Sequence, residues 1–192
     1  MRILLLSFFL ISSFSPSFSA IKVKNPPVDS ASKSSRAKFE YPTPPVSAAS
    51  LFYVQRTPNS NTIVYDLNVN KDGKLDNDQP IKTYWIRYAE KGQKEDLSYI
   101  QRKFAYGLTS KQLSNGNYDI RFVSYKKFPL TLMRAADGKY HIFASIAQKQ
   151  VIVNRIFVKI EGGSFWLPNV MYVEVKGSDP LTGREIVERF KP

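Results

Sequence analysis

From Leu51 to the C-terminus, β-branched and aromatic residues alternate with polar ones at a period of two, the pattern of strands with one buried and one solvated face. The alternation predicts strands at Leu51–Thr57, Thr62–Val69, Ile81–Tyr88, Tyr118–Lys127, Leu130–Ala135, Tyr140–Ile146, Val151–Glu161, Val170–Lys176 and Glu185–Phe190. Within them Ile63, Tyr65, Leu67 and Val69 share a face opposite Asp66 and Asn68. Ile156, Val158 and Ile160 likewise oppose Lys159 and Glu161, and Met171, Val173 and Val175 oppose Glu174 and Lys176. Turn residues fall between these runs: Pro58-Asn59-Ser60-Asn61, Asp72-Gly73, Asn115-Gly116, Asp137-Gly138 and Gly162-Gly163.

One segment, about residues 94–106, breaks the pattern. Leu97, Ile100 and Phe104 stand at helical spacing, with Glu95 and Asp96 at the start, Arg102 and Lys103 at the end and Gly107 beyond. That order of charges suits the helix dipole, and a following glycine suits a helix stop. About nine strands, one short inserted helix and no βαβ alternation predict a mainly β fold, an antiparallel sandwich or a partly open barrel.

The N-terminal region follows different rules. Met1–Ser19 carries one positive charge (Arg2), an apolar run from Ile3 to Ile11 and small residues at Ser17 and Ser19, the build of a cleaved secretory leader. The run is shorter than the roughly 20 apolar residues a membrane-spanning helix needs, and no later stretch is longer, so the mature chain is expected to be exported without a span. Residues 20–48 hold Pro26, Pro27, Pro42, Pro44 and Pro45 among Ser and Lys, and are expected to form a disordered basic arm. Residues 49–192 are expected to form a single β-rich domain.

Composition then narrows the chemistry. There is no Cys, which excludes disulfide frameworks, thiol catalysis, thiolate zinc sites, iron–sulfur clusters and a Cys-borne lipid anchor. A single His excludes His-rich metal sites. The chain has 28 Lys and Arg against 16 Asp and Glu; without Arg2 and the arm's five basic and two acidic residues, residues 49–192 keep 22 against 14, a net +8. An exported basic domain without a recognition helix, zinc finger or RNP motif is not expected to bind nucleic acid. Anionic envelope components, glycans or lipid head groups, are the expected partners, against the plainer reading that Lys and Arg solvate strand faces and guard edges.

The stretches LFYVQRTPNSNTIVYDLN, KDGKLDNDQPIKTYWIRYAEKG, LSYIQRKFAYGL, VNRIFVKI and VEVKGSDPLTGREIVERF resemble the DUF4833 family, uncharacterised exported bacterial proteins found mainly in Bacteroidetes. The resemblance runs from about Leu51 to the C-terminus. It implies an exported envelope protein and carries no activity, substrate or catalytic residue with it.

Candidate chemistry is sparse. Asn68–Gln79 places oxygen side chains at Asn68, Asn70, Asp72 and Asp76 around Gly73, the spacing of a twelve-residue calcium loop, and makes calcium the one candidate cofactor. Asn replaces the first Asp, however, and Gln79 replaces the bidentate acid, so the alternative is a hairpin turn whose Asn and Asp bond their own backbone. His141 lies in a strand-like run with no nucleophile beside it, and Ser164 lacks the glycine-flanked elbow of a hydrolase. Glu90, Glu161 and Glu174 are the acids a two-carboxylate hydrolase of carbohydrate or cell wall would draw on. Arg87, Tyr88, Gln101, Arg102 and Tyr106, on and before the inserted helix, form the candidate ligand-binding set, since guanidinium groups and rings together hold sugars or anions. The expected function is a binding or scaffolding module of the envelope.

Overall fold

A computed structural model describes residues 41–164 and 167–192; the leader (1–19) and residues 20–40 of the arm lie outside the described residues. The strands are β1 (Ser50–Arg56), β2 (Thr62–Leu67), β3 (Ile81–Ile86), β4 (Lys94–Asp96), β5 (Leu108–Gln112), β6 (Tyr118–Phe122), β7 (Leu130–Arg134), β8 (Tyr140–Ile146), β9 (Lys149–Gly163), β10 (Pro168–Ser178) and β11 (Glu185–Phe190), with one helix, α1 (Tyr99–Phe104). All eleven join one sheet, and the path β4-β3-β2-β1-β9-β8-β7-β6-β5 curls into a half-barrel. The fold is mainly β with one short helix, as the alternation predicts.

The sheet is not purely antiparallel. β1 and β9 pair in parallel, Val54 opposite Ile156 and Arg56 opposite Val158. The reason is topological: β1–β4 and β5–β9 are two antiparallel meanders, and their first and last strands run the same way where they meet. β9 is long because it serves three neighbours, β8 through Lys149–Ile152, β1 through Arg155–Val158 and β10 along most of its length.

The concave face carries the core. Phe52 and Val54 of β1, Ile63 and Tyr65 of β2 and Trp85 of β3 face inward, and Phe52 stacks on Tyr65 at 4.4 Å between ring centroids. Tyr118, Ile120, Leu130, Leu132, Ile142, Val151 and Val153 fill the other meander. Register shifts in β10 change one predicted face: Val170 and Val173 turn inward, while Met171 is 42% exposed.

The inserted helix is shorter than its sequence predicts. Ser98 caps it, its hydroxyl accepting from the Gln101 N–H while the Gln101 side chain accepts from the Ser98 N–H, a reciprocal capping box. The acidic residues read as its first turn instead form β4, which pairs with β3, so none stands in that turn; Arg102 and Lys103 do close the helix. Gly107 is not a left-handed stop: a Cβ there would run into the Arg102 carbonyl, so glycine is needed for the close passage of the chain under α1.

The described end of the arm lies against the outer face of the sheet. Tyr41 packs edge-on to Phe157, and the Pro42 carbonyl accepts from Gln55, a buried amide that also meets Thr62 and Arg155. Composition alone reads residues 41–48 as disordered. The contacts that hold them come from β1 and β9, far away in sequence.

Candidate functional site

The inward residues of β1, β2, β9, β10 and β11 surround a cleft of about 800 Å³ in the half-barrel. Its floor is Val54, Ile156, Val158 and Ile160; its walls include Tyr106, Phe122, Phe128, Val173 and Phe190. Phe190 stacks on Phe128 at 5.7 Å and on Tyr125 at 6.5 Å, an aromatic wall along one side. The volume lies within the roughly 300–1,000 Å³ of clefts that enclose small molecules.

A single guanidinium enters this apolar space. Arg56 follows Phe52 and Val54 on the inward phase of β1, and its register neighbour on β9 is Val158. Its Nη1 donates a long hydrogen bond of 3.4 Å to the Thr57 carbonyl, and its guanidinium carbon lies 5.8 Å from the centre of the Tyr106 ring. Its Nε is buried without a hydrogen-bond partner among the described residues. The Tyr106 phenol is pushed above its ordinary range mainly by burial, opposed by the Arg56 charge, so it stays neutral at physiological pH.

The cleft's far rim is fixed by backbone geometry. Gly163, at φ 81°, has a conformation side chains rarely adopt, and a Cβ there would meet the Leu167 carbonyl and the Asn169 amide. Ser164 beside it accepts from the Leu167 N–H at 3.1 Å, a turn-capping role.

Of the five residues of the candidate ligand-binding set, only Tyr106 lines the cleft. Arg87 pairs with Glu95 at 2.8 Å and lies over Trp85, and the hydrogen bond to Arg87 holds the Glu95 carboxyl below its ordinary range. Gln101 completes the capping box of Ser98 and also accepts from the Trp85 indole at 3.2 Å. Tyr88 reaches the Thr43 carbonyl of the arm at 3.5 Å, and Arg102 stands exposed on α1. The structure brings Arg87, Gln101 and Tyr106 together around Trp85, whose ring Tyr106 meets edge-on at 5.1 Å, and places Tyr88 against the arm and Arg102 on the exposed side of α1. Alternation could have flagged Arg56, a cation at the third inward position of an otherwise apolar strand face.

The oxygen-rich loop uses its oxygens locally. Asn70 accepts from the Asp72 and Lys74 amides, and Asp76 from the Asp78 and Gln79 amides. Asn68 donates to the Gln79 carbonyl, and Asp72 is exposed. Among the described residues no three His, Cys, Asp or Glu side chains are grouped to hold a metal ion.

The other candidates are placed as follows. His141 contacts Asp137 at 2.8 Å at the end of a hairpin. Glu161 pairs with Lys159, and Glu174 sits between Arg155 and Arg189. Glu90 accepts from Gln93, and no described Asp or Glu side chain lines the cleft. A smaller recess of about 360 Å³ on the outer face mixes Asp66, Glu95 and Asp96 with Lys82 and Lys94. There Tyr84 donates to Asp66 at 2.9 Å, and burial together with that bond pushes its phenol up to about 12. No helix among the described residues is long and apolar enough to cross a membrane.

The family profile of the domain of unknown function DUF4833 matches residues 52–189, which contain β2 to β10 and α1 whole and all but the outermost residues of β1 and β11. No curated protein and no solved structure matches the chain.

Proposed function

Since the chain belongs to the DUF4833 family, whose description assigns no activity, we propose a function from the geometry: a non-enzymatic module that holds the apolar part of an amphiphile inside its half-barrel. The observation that carries this reading is the cleft of about 800 Å³ with Val54, Ile156, Val158, Ile160, Phe128 and Phe190 around it. An apolar chain entering it gains about 0.8 kcal/mol for each methylene removed from water. The leader expected in residues 1–19 supports this reading, since an exported protein would meet such amphiphiles in the envelope.

A second observation favours contact with an anionic lipid surface. On α1, Tyr99 is 71% exposed, Ile100 44% and Phe104 50%, beside the cations Arg102 and Lys103, and Phe104 reaches the cleft. Apolar side chains flanked by cations suit the boundary between head groups and acyl chains. Together with the net +8 domain, this supports the anionic envelope surface as partner.

A neutral apolar fluorophore and a series of n-alkanols test the first reading. The fluorophore brightens on binding, alkanols displace it, and affinity falls about fourfold per methylene removed, the equivalent of ~0.8 kcal/mol. A flat dependence on chain length, or no displacement, overturns it. For the surface, co-sedimentation with vesicles containing anionic lipid should fall with salt and with the double change Tyr99→Ser and Ile100→Ser.

A further inference from the structure

Resting on the reading of the cleft as an amphiphile site, we infer that Arg56 is a headgroup anchor and that the ligand is a single-chain amphiphile with one anionic head. Four arginines are partly buried in the described structure: Arg56, Arg87, Arg121 and Arg155. Three of them hold a carboxylate, Arg87 with Glu95, Arg121 with Asp119 and Arg155 with Glu174. Arg56 holds none among the described residues, and its Nε is buried without a partner.

Burying an unpaired cation costs free energy that a core does not otherwise tolerate. A guanidinium has five N–H donors in a planar fork; here one makes a long bond to Thr57, the Tyr106 hydroxyl is a second hydrogen-bond partner, and Nε has none. The fork matches two oxygens of a carboxylate or phosphate in bidentate fashion. The Tyr106 ring face carries part of the charge meanwhile, and its neutral phenol adds a donor nearby.

The surroundings set the rest of the ligand. Beyond Arg56 the floor runs through Val158 and Ile160 to the aromatic wall of Phe128 and Phe190, with no described Asp or Glu side chain and no second arginine in the lining. One charge followed by an apolar trough describes an alkyl chain with one acidic head. It excludes a cationic amphiphile, which Arg56 repels, and it gives a neutral alcohol the trough alone.

The test compares four twelve-carbon probes on the purified exported chain: dodecanoate, dodecyl phosphate, 1-dodecanol and dodecyltrimethylammonium. The two anions are expected to bind at least tenfold tighter than the alcohol, and the ammonium weaker than the alcohol. Arg56→Gln should erase the anion's advantage and leave the alcohol's Kd unchanged, and Arg56→Lys should keep part of the advantage. Dodecanoate against dodecyl phosphate decides whether the head is a carboxylate or a phosphate. If the alcohol binds as tightly as the anions, or if the preference survives Arg56→Gln in a variant with unchanged thermal unfolding, the anchor is wrong while the cleft reading stands. If no probe binds the wild type, both fall.

Discussion

Two ends of the same concave face are built differently. At the packed end, strands β6 to β8 bring Tyr118, Ile120, Leu130, Leu132 and Ile142 together with Val151 and Val153 of β9, and most of these are fully excluded from solvent. At the open end, Val158, Ile160, Val170, Val173, Phe122, Phe128 and Phe190 are only partly buried and surround the cleft. Both ends show the same alternation. The difference lies in what faces them: the meander from β5 to β8 folds its side chains onto the first set, and nothing among the described residues fills the space over the second. Alternation therefore tells which side chains turn inward, and only the tertiary path tells whether the space they turn into is occupied.

The largest expected effect tests that contrast in stability. Leu132→Ala removes a side chain with no exposed surface and leaves a cavity, a loss of about 2–5 kcal/mol. Val173→Ala opens onto space already empty and should cost under about 1 kcal/mol. Urea unfolding of the two variants measures both. Equal losses would mean that the open end is closed in solution by another part of the chain.

Filling the open end reverses the test. Val158→Trp places a large ring beside Arg56 at the floor of the cleft. Binding of the alkyl probes should drop at least tenfold, while stability changes by less than about 1 kcal/mol because no packed neighbour is displaced. A variant that keeps full affinity would move the ligand elsewhere on the protein.

Alkali distinguishes the outer face from both. The Tyr84 phenol is raised from 10.0 to about 12 by burial and by its bond to Asp66, so its proton is held more tightly in the folded than in the unfolded chain. The sign follows directly: this contribution is fully present below pH 10 and is lost as pH rises from 10 through 12. Tyr84→Phe should make the fall in stability over that range shallower, and should cost stability at neutral pH as well, since Asp66 already has one buried oxygen without a partner. Thermal unfolding at pH 8, 10 and 11 resolves the two effects.

What the sequence reveals divides along the same line. Ile63 with Tyr65, and Ile156 with Val158 and Ile160, are read correctly because each strand's own period fixes its faces. The edge strands β4 (KED) and β5 (LTSKQ) escape because they are mostly exposed and polar, and their pairing is imposed by β3 and β6. The parallel contact of β1 with β9 joins residues about a hundred positions apart and leaves no local trace. In the cleft, Arg56 is legible as an oddity of phase, whereas its lack of a carboxylate partner is a property of the assembled structure alone. Arg87 and Gln101 attract notice by residue type, and the structure employs one in an ion pair and the other in a helix cap.

The smallest expected effect concerns a turn that the sequence does not announce. Between β8 and β9 the chain reverses at Ala147 and Gln148, which have φ of 48° and 60°, a left-handed pair where hairpins favour Asn-Gly. Left-handed backbone costs an ordinary residue about 1–2 kcal/mol, and the carboxylate of Glu188 offsets part of it by accepting from the Ala147 N–H at 2.6 Å. Gln148→Gly relieves the second position, so stability should rise by up to about 1 kcal/mol, less what the more flexible unfolded chain takes back. Because this hairpin belongs to the packed end and lies away from Arg56, alkyl-probe affinity should not change with it. A gain in stability accompanied by weaker binding would show that the two ends of the concave face are coupled, and that the open end draws its shape from the strain in this turn.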